Sequence, residues 1–236
     1  MAKISLRKNK KELEGKETVE VFKDLDKGAL DTERFLEKNS KMLMIVFGAL
    51  VAAVLGYFAY QQFYVEPRNE EATLSYLQAQ KNLADGKDEL ALGGKSAANP
   101  GYLGTYNDYS GTKVGKLSAY NAGLLKFKEG KYQESYDLLD KFSSDNKVLM
   151  ALKYGAMADC QANLNRNDEA LSLLDKATSA SDDPYTSYYF TRKAGLVALA
   201  LKKNTEAKKY FSTIDEKYQD YDNGMSDSYI EMVKYY

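Results

Sequence analysis

Few residues in this chain carry the chemistry needed for catalysis. Its 236 residues include no His, no Trp and a single Cys, Cys160. Histidine is the commonest general base and zinc ligand, and a lone Cys makes neither an intrachain disulfide nor a metal-binding cluster. Asp, Glu, Lys and Ser remain, but nothing in their spacing marks a site, and there is no Walker-type loop and no Gly-x-Gly-x-x-Gly. The sequence therefore predicts no enzyme, no catalytic residue, no metal and no cofactor. The 33 basic and 34 acidic residues are mixed along the chain. No basic stripe interleaved with aromatics appears, which argues against a nucleic-acid partner.

The dominant element is Met42–Val65, MLMIVFGALVAAVLGYFAYQQFYV, 24 residues without a charge. As a helix, its first 19 residues reach about 28 Å, close to the hydrocarbon thickness of a bilayer. Nine of those 19 are Leu, Ile, Val or Phe, which favours insertion by roughly 3–5 kcal/mol. A core helix would seldom run so long without a charge. A signal peptide would start nearer the N-terminus and end in a small-x-small cleavage site. This segment instead exits through Tyr57, Phe58, Tyr60, Phe63 and Tyr64, rings suited to an interfacial belt. With no Cys beside the apolar run, lipoprotein processing is excluded too, and a retained transmembrane helix is expected.

Lys and Arg set the orientation. Residues 22–41 hold Lys23, Lys27, Arg34, Lys38 and Lys41, against Arg68 and Lys81 in residues 66–85. The bias places the N-terminus in the cytoplasm and residues 66–236 outside it. Residues 1–27, basic at Lys3, Arg7, Lys8, Lys10 and Lys11 and acidic afterwards, read as a disordered tail. That basic cluster suits anionic lipid or ribosomal RNA, but a plainly solvated tail is the simpler reading. Leu30–Asn39 fits a short helix at the membrane surface, with Phe35 and Leu36 toward the lipid. Inside the span, Gly48, Ala52 and Gly56 recur every fourth residue, leaving one face smooth enough for another helix to approach closely.

Beyond Pro67, Asn69–Asp85 reads as a helix, and residues 86–112 as a Gly- and Asn-rich connection with a short helix near Tyr102–Tyr109. From Thr112 the chain repeats itself. Ala122-Gly123-Leu124 returns as Met157-Ala158-Asp159 and Ala194-Gly195-Leu196, at spacings of 35 and 37 residues. Thirteen residues after the start of each triplet stand Ser135, Ala170 and Ala207; four further stand Leu139, Leu174 and Phe211. Gly130 suits a turn that needs a positive φ. Asn167 and Asn204 are placed to cap the helices that follow. Cys160 falls on the packed side of its helix and reads as buried and inert.

A period near 34, with small residues on one helix and a small then a large apolar residue on the next, resembles the tetratricopeptide repeat. The resemblance implies an all-α fold, with the transmembrane helix followed by a helical-repeat solenoid over 66–236. Three repeats are expected, with a fourth, degenerate one within 69–110 and a closing helix over 226–236. The consensus Trp is absent and Pro appears in the repeats only at Pro184. In such arrays the first helix of each repeat lines a concave groove. Projected onto that pattern, the groove residues are Tyr120, Leu124 and Phe127, then Asp159 and Asn163, then Tyr189, Arg192 and Leu196. The competing reading makes Leu124, Phe127 and Leu196 core.

The order of parts resembles the YfgM-like ancillary subunits of the bacterial Sec translocon. The likeness starts at Glu33-Arg34-Phe35-Leu36-Glu37-Lys38-Asn39-Ser40-Lys41, similar to that family's lead-in to its span. It continues through the Gly/Ala-rich helix, the helix with Leu74-Ser75-Tyr76 and the divergent repeats. The resemblance implies a non-enzymatic protein of the bacterial inner membrane, single-pass, with a periplasmic repeat domain. Its partners would be the SecYEG translocon, a PpiD-type membrane-anchored chaperone and newly translocated polypeptides. A scaffold for another envelope machine, such as cell division or outer-membrane assembly, is the alternative, and an unrecognised carboxylate enzyme is the third reading.

Overall fold

The structure, a computed structural model, describes residues 35–93 and 99–236. The tail expected over 1–27, the start of the surface helix over 30–34 and Gly94 lie outside the described residues. The chain divides into two compact units, Met1–Tyr64 and Val65–Tyr236.

In the first unit, one α-helix covers residues 35–60 (α1) and runs into a π-helical turn, Gln61–Val65. The expected surface helix and the span are therefore one element rather than two. Nothing between Asn39 and Met42 breaks the helix. The Asn39 side chain donates to the carbonyl of Phe35 at 2.8 Å, inside the turn, instead of ending it. Residues 40–60 are exposed throughout, Ile45 by 72 % and Phe47 by 69 %. This helix is long and apolar enough to cross a membrane. At its exit Tyr60 and Tyr64 stack at 5.2 Å, one turn apart.

The described residues of the second unit are helical and contain no strand. Its elements are α2 (Glu66–Ala84), α3 (Asp88–Leu92), α4 (Gly101–Tyr109), α5 (Lys113–Lys128), α6 (Tyr132–Lys141), α7 (Lys147–Asn163), α8 (Asn167–Ala180), α9 (Pro184–Ala200), α10 (Asn204–Lys217), α11 (Gln219–Asp222) and α12 (Asp227–Val233). The first helix starts earlier than expected because Pro67 sits in its first turn, where its missing N–H costs nothing. Consecutive helices pair as hairpins: α5 packs on α6, α7 on α8 and α9 on α10. Each second helix also packs on the next hairpin, α6 on α7 and α8 on α9. Ahead of them, α3 and α4 both pack on α2 and on α5, together filling the place that one helix takes later.

The turns show why these sequences fold as hairpins. Gly86, Gly130, Asn165 and Lys202 have φ values of +74°, +78°, +61° and +58°. At each, the residue with positive φ donates its N–H three residues back, and the next residue donates five back: Gly130 to Phe127 and Lys131 to Lys126, Asn165 to Ala162 and Arg166 to Gln161. Gly86 with Lys87 and Lys202 with Lys203 repeat the pattern. This is the Schellman ending, which satisfies carbonyls otherwise orphaned at a helix C-terminus. The helix that follows starts on Lys87, Lys131, Arg166 or Lys203, without a side-chain cap. Asn167 and Asn204 are thus not caps but the first residues of α8 and α10. The Schellman bonds hold the cation just before each Asn at the boundary position, so the Asn is carried one residue inside.

Packing follows the sequence period. Ala122, Met157 and Ala194 are buried, as are Ser135, Ala170 and Ala207, and Leu139, Leu174 and Phe211. A β-carbon on Gly123 would stand 2.9 Å from Leu139, and one on Gly195 2.9 Å from the Phe211 ring. Only a bare backbone lets the large residue of the second helix seat there. Beyond the last hairpin, α12 packs on α10. Its Tyr229 stacks on Phe211 at 5.3 Å, and its Ile230 and Val233 are buried. The closing helix expected over 226–236 is present as Asp227–Val233.

Candidate protein-binding face and membrane helix

The first helices of the hairpins lie side by side, α2 against α5, α5 against α7 and α7 against α9. Polar bridges tie them together. Asn121 on α5 donates to the Tyr76 hydroxyl on α2 at 3.0 Å. The Lys193 ammonium on α9 meets the Asp159 carboxylate on α7 at 2.6 Å. The face made by these helices is where the groove residues were expected.

The structure divides those residues in two. Tyr120 is partly buried, its ring 5.0 Å from Phe142, and burial pushes its hydroxyl above the ordinary value. Phe127 packs edge-on against Tyr132 at 5.2 Å, and Leu196 packs on the main core. These three serve the interior. On the open side stand Leu124, 39 % exposed, and Tyr189, 49 % exposed. Asn163 is exposed, with its amide donating to the Asp159 carbonyl of its own helix at 2.8 Å. Asp159 is neutralised by Lys193. Arg192 is partly buried, and its Nε has no hydrogen-bond partner.

Sequence reasoning missed two members of this face. Leu152 on α7 is 39 % exposed and Tyr185 on α9 is 59 % exposed. The signal for Leu152 was the period itself, because it stands 37 residues before Tyr189 and 35 after Leu117. Leu117 in turn lines a cavity of about 380 Å³ with Val114, Phe142 and Leu149, bordered by Lys113 and Asp145. The cavity could admit an apolar side chain, and its polar rim also includes Lys116, Ser143 and Ser144.

Behind the open face, polar groups are satisfied inside the fold. Lys153 is buried and donates to the carbonyls of Phe142 at 2.8 Å and Asp140 at 3.1 Å, closing the end of α6. Burial lowers the pKa of its ammonium. The Cys160 thiol lies 3.2 Å from the Ser135 hydroxyl, which donates to the Gly123 carbonyl at 2.7 Å, and burial pushes the thiol up. Burial and a raised pKa both disfavour the reactive thiolate. Asp222 is buried and accepts from the Tyr188 hydroxyl at 2.9 Å and from the Ser226 amide at 2.7 Å. Among the described residues, no group of His, Cys, Asp and Glu is placed to hold a metal ion.

On α1, Gly48, Ala52 and Gly56 form an open strip. A β-carbon added at Gly48 or Gly56 meets no atom within 4 Å. Among the described residues, nothing packs against these two glycines. Compared with known proteins, the sequence matches no family model and no curated protein.

Proposed function

We propose that the protein is a membrane-anchored, non-enzymatic protein-binding module. On this reading α1 spans the inner membrane with its N-terminus in the cytoplasm. The hairpins would form a tetratricopeptide-like solenoid on the far side. The observation that carries the proposal is the shared construction of four turns, with the same backbone bonds at Gly86, Gly130, Asn165 and Lys202. A chain that stacks like units this way buries a continuous core and leaves one long face free, the usual design of a binding scaffold. The absence of His and the paired or buried state of the central polar groups favour binding over chemistry.

The partners we propose are the SecYEG translocon and a PpiD-type membrane-anchored periplasmic chaperone, with newly translocated polypeptides as clients. Support for these names comes from the lead-in at Glu33–Lys41, the Gly/Ala-rich span and the order of parts. Purification of the full chain in mild detergent tests them: SecY and a membrane-anchored chaperone should co-purify in stoichiometric amount. Recovery of division or outer-membrane assembly proteins instead would replace this reading with the scaffold alternative. Recovery of no partner at all would remove the binding function.

A further inference from the structure

Arg192 is oddly placed for a charged residue. Its Nε is shielded from water yet has no hydrogen-bond partner among the described residues, and its charge acts on the neighbouring Tyr188 hydroxyl. Buried donors are nearly always satisfied, and an orphan is a reason to look for a missing acceptor. The neighbouring charges are already committed. Lys193 is paired with Asp159 at 2.6 Å. Asp222, whose carboxylate accepts from the hydroxyl of Tyr188 one turn before Arg192, is also held by the Ser226 amide and hydroxyl, at 2.7 and 2.6 Å. Among the described residues, no acid forms an ion pair with Arg192.

Around it, α9 presents Tyr185, Tyr189 and Arg192 at intervals of four and three residues, which places them on one side of the helix, while Leu196 a turn further packs on the core. Tyr185 and Tyr189 are 59 % and 49 % exposed, and Leu152 on α7 is exposed by 39 %. We propose that Arg192 is the carboxylate-binding point of this face, and that its ligand is a polypeptide carrying an acidic group among apolar residues. The guanidinium fork accepts a carboxylate through two parallel hydrogen bonds, and the tyrosines offer flat apolar area at low entropic cost. The fit is one of charge: beside the Lys193–Asp159 pair, which is already neutralised, the Arg192 cation selects an anion. This site rests on the protein-binding reading above and narrows it.

The test uses the full chain in lipid nanodiscs and two fluorescein-labelled hexapeptide pools. Both are amidated and randomised over Ala, Leu, Phe and Tyr, with Glu fixed at the third position in one and Gln in the other. The Glu pool should bind about tenfold more tightly than the Gln pool. Arg192→Gln should erase that preference. Arg192→Lys should keep only part of it, because an ammonium lacks the fork. Thermal melting of both variants should match or exceed that of the parent, since each loses an unpartnered buried donor. Equal binding of the two pools, binding of neither, or a preference that survives Arg192→Gln overturns the site. If partner proteins still co-purify in that event, the binding module stands and only its carboxylate point falls.

Discussion

At Tyr188 the fold sets a phenol against a carboxylate and hides both. Burial first, then the hydrogen bond and charge of Asp222, raises the Tyr188 hydroxyl from 10.0 to about 12. The neutral phenol is thus favoured by folding. Its contribution is fully present below pH 10 and is lost as the pH rises through 12, because the unfolded chain releases the proton first. Tyr102 is raised to about 12 and Tyr210 is also shifted upward, both chiefly by burial. Stability should therefore fall across pH 10–12, with the buried phenols ionising only as the protein unfolds. Absorbance of phenolate against circular dichroism in one alkaline titration checks this. Tyr188→Phe should flatten the decline and, at pH 8, cost about 1–3 kcal/mol by leaving Asp222 short of a donor. Ionisation of all tyrosines before any loss of helicity would contradict the burial argument.

Among the elements, the four turns are the same device built from different residues. Gly accepts a positive φ freely, whereas Lys202, at +58°, bears the strain of its β-carbon. Lys202→Gly should therefore stabilise the protein by about 1 kcal/mol, and Gly130→Ala should destabilise it by a similar amount. Chemical denaturation of the two variants side by side would show opposite shifts; shifts of the same sign would mean the turns are not equivalent. On α1 the small residues make a different prediction. Gly48→Leu with Gly56→Leu fills a strip on which no described residue packs. Insertion should be unaffected, but recovery of the partner complex should drop severalfold, since close approach drives helix contacts in lipid. Undiminished recovery would assign the strip to lipid.

At the scale of the whole molecule, the described residues form one exposed apolar helix and one hairpin unit, and the proposed topology is testable directly. Protease added to spheroplasts should digest the region after residue 65 and protect the first 41 residues, which an N-terminal tag would report. Protection of the C-terminal unit would reverse the orientation and remove the translocon reading with it.

Much of this was determined by the sequence alone. An uncharged run long enough for a bilayer needs no partner to declare itself, so α1 was legible, though not that residues 35–39 run unbroken into it. The recurring small and large residues were legible too, because close packing of paired helices demands them at fixed spacing: Ala122, Ser135 and Leu139 recur as buried counterparts in each later hairpin. Even the extra turn left a trace, since Gly86-Lys87-Asp88-Glu89-Leu90-Ala91 parallels Gly130-Lys131-Tyr132-Gln133-Glu134-Ser135. Only the tertiary structure decided the rest. Asn167 and Asn204 look like caps in a linear reading, but the cap position belongs to whichever residue follows the left-handed one, and backbone bonding sets that. Tyr120, Phe127 and Leu196 share a helix side with Leu124 and Tyr189 yet fold inward, because burial depends on helices far away in the chain. Arg192 shows the same limit most sharply. Its type and position were readable, but its buried Nε is left without a bond only in the fold, where Lys193 has taken Asp159, and Tyr188 and Ser226 have taken Asp222.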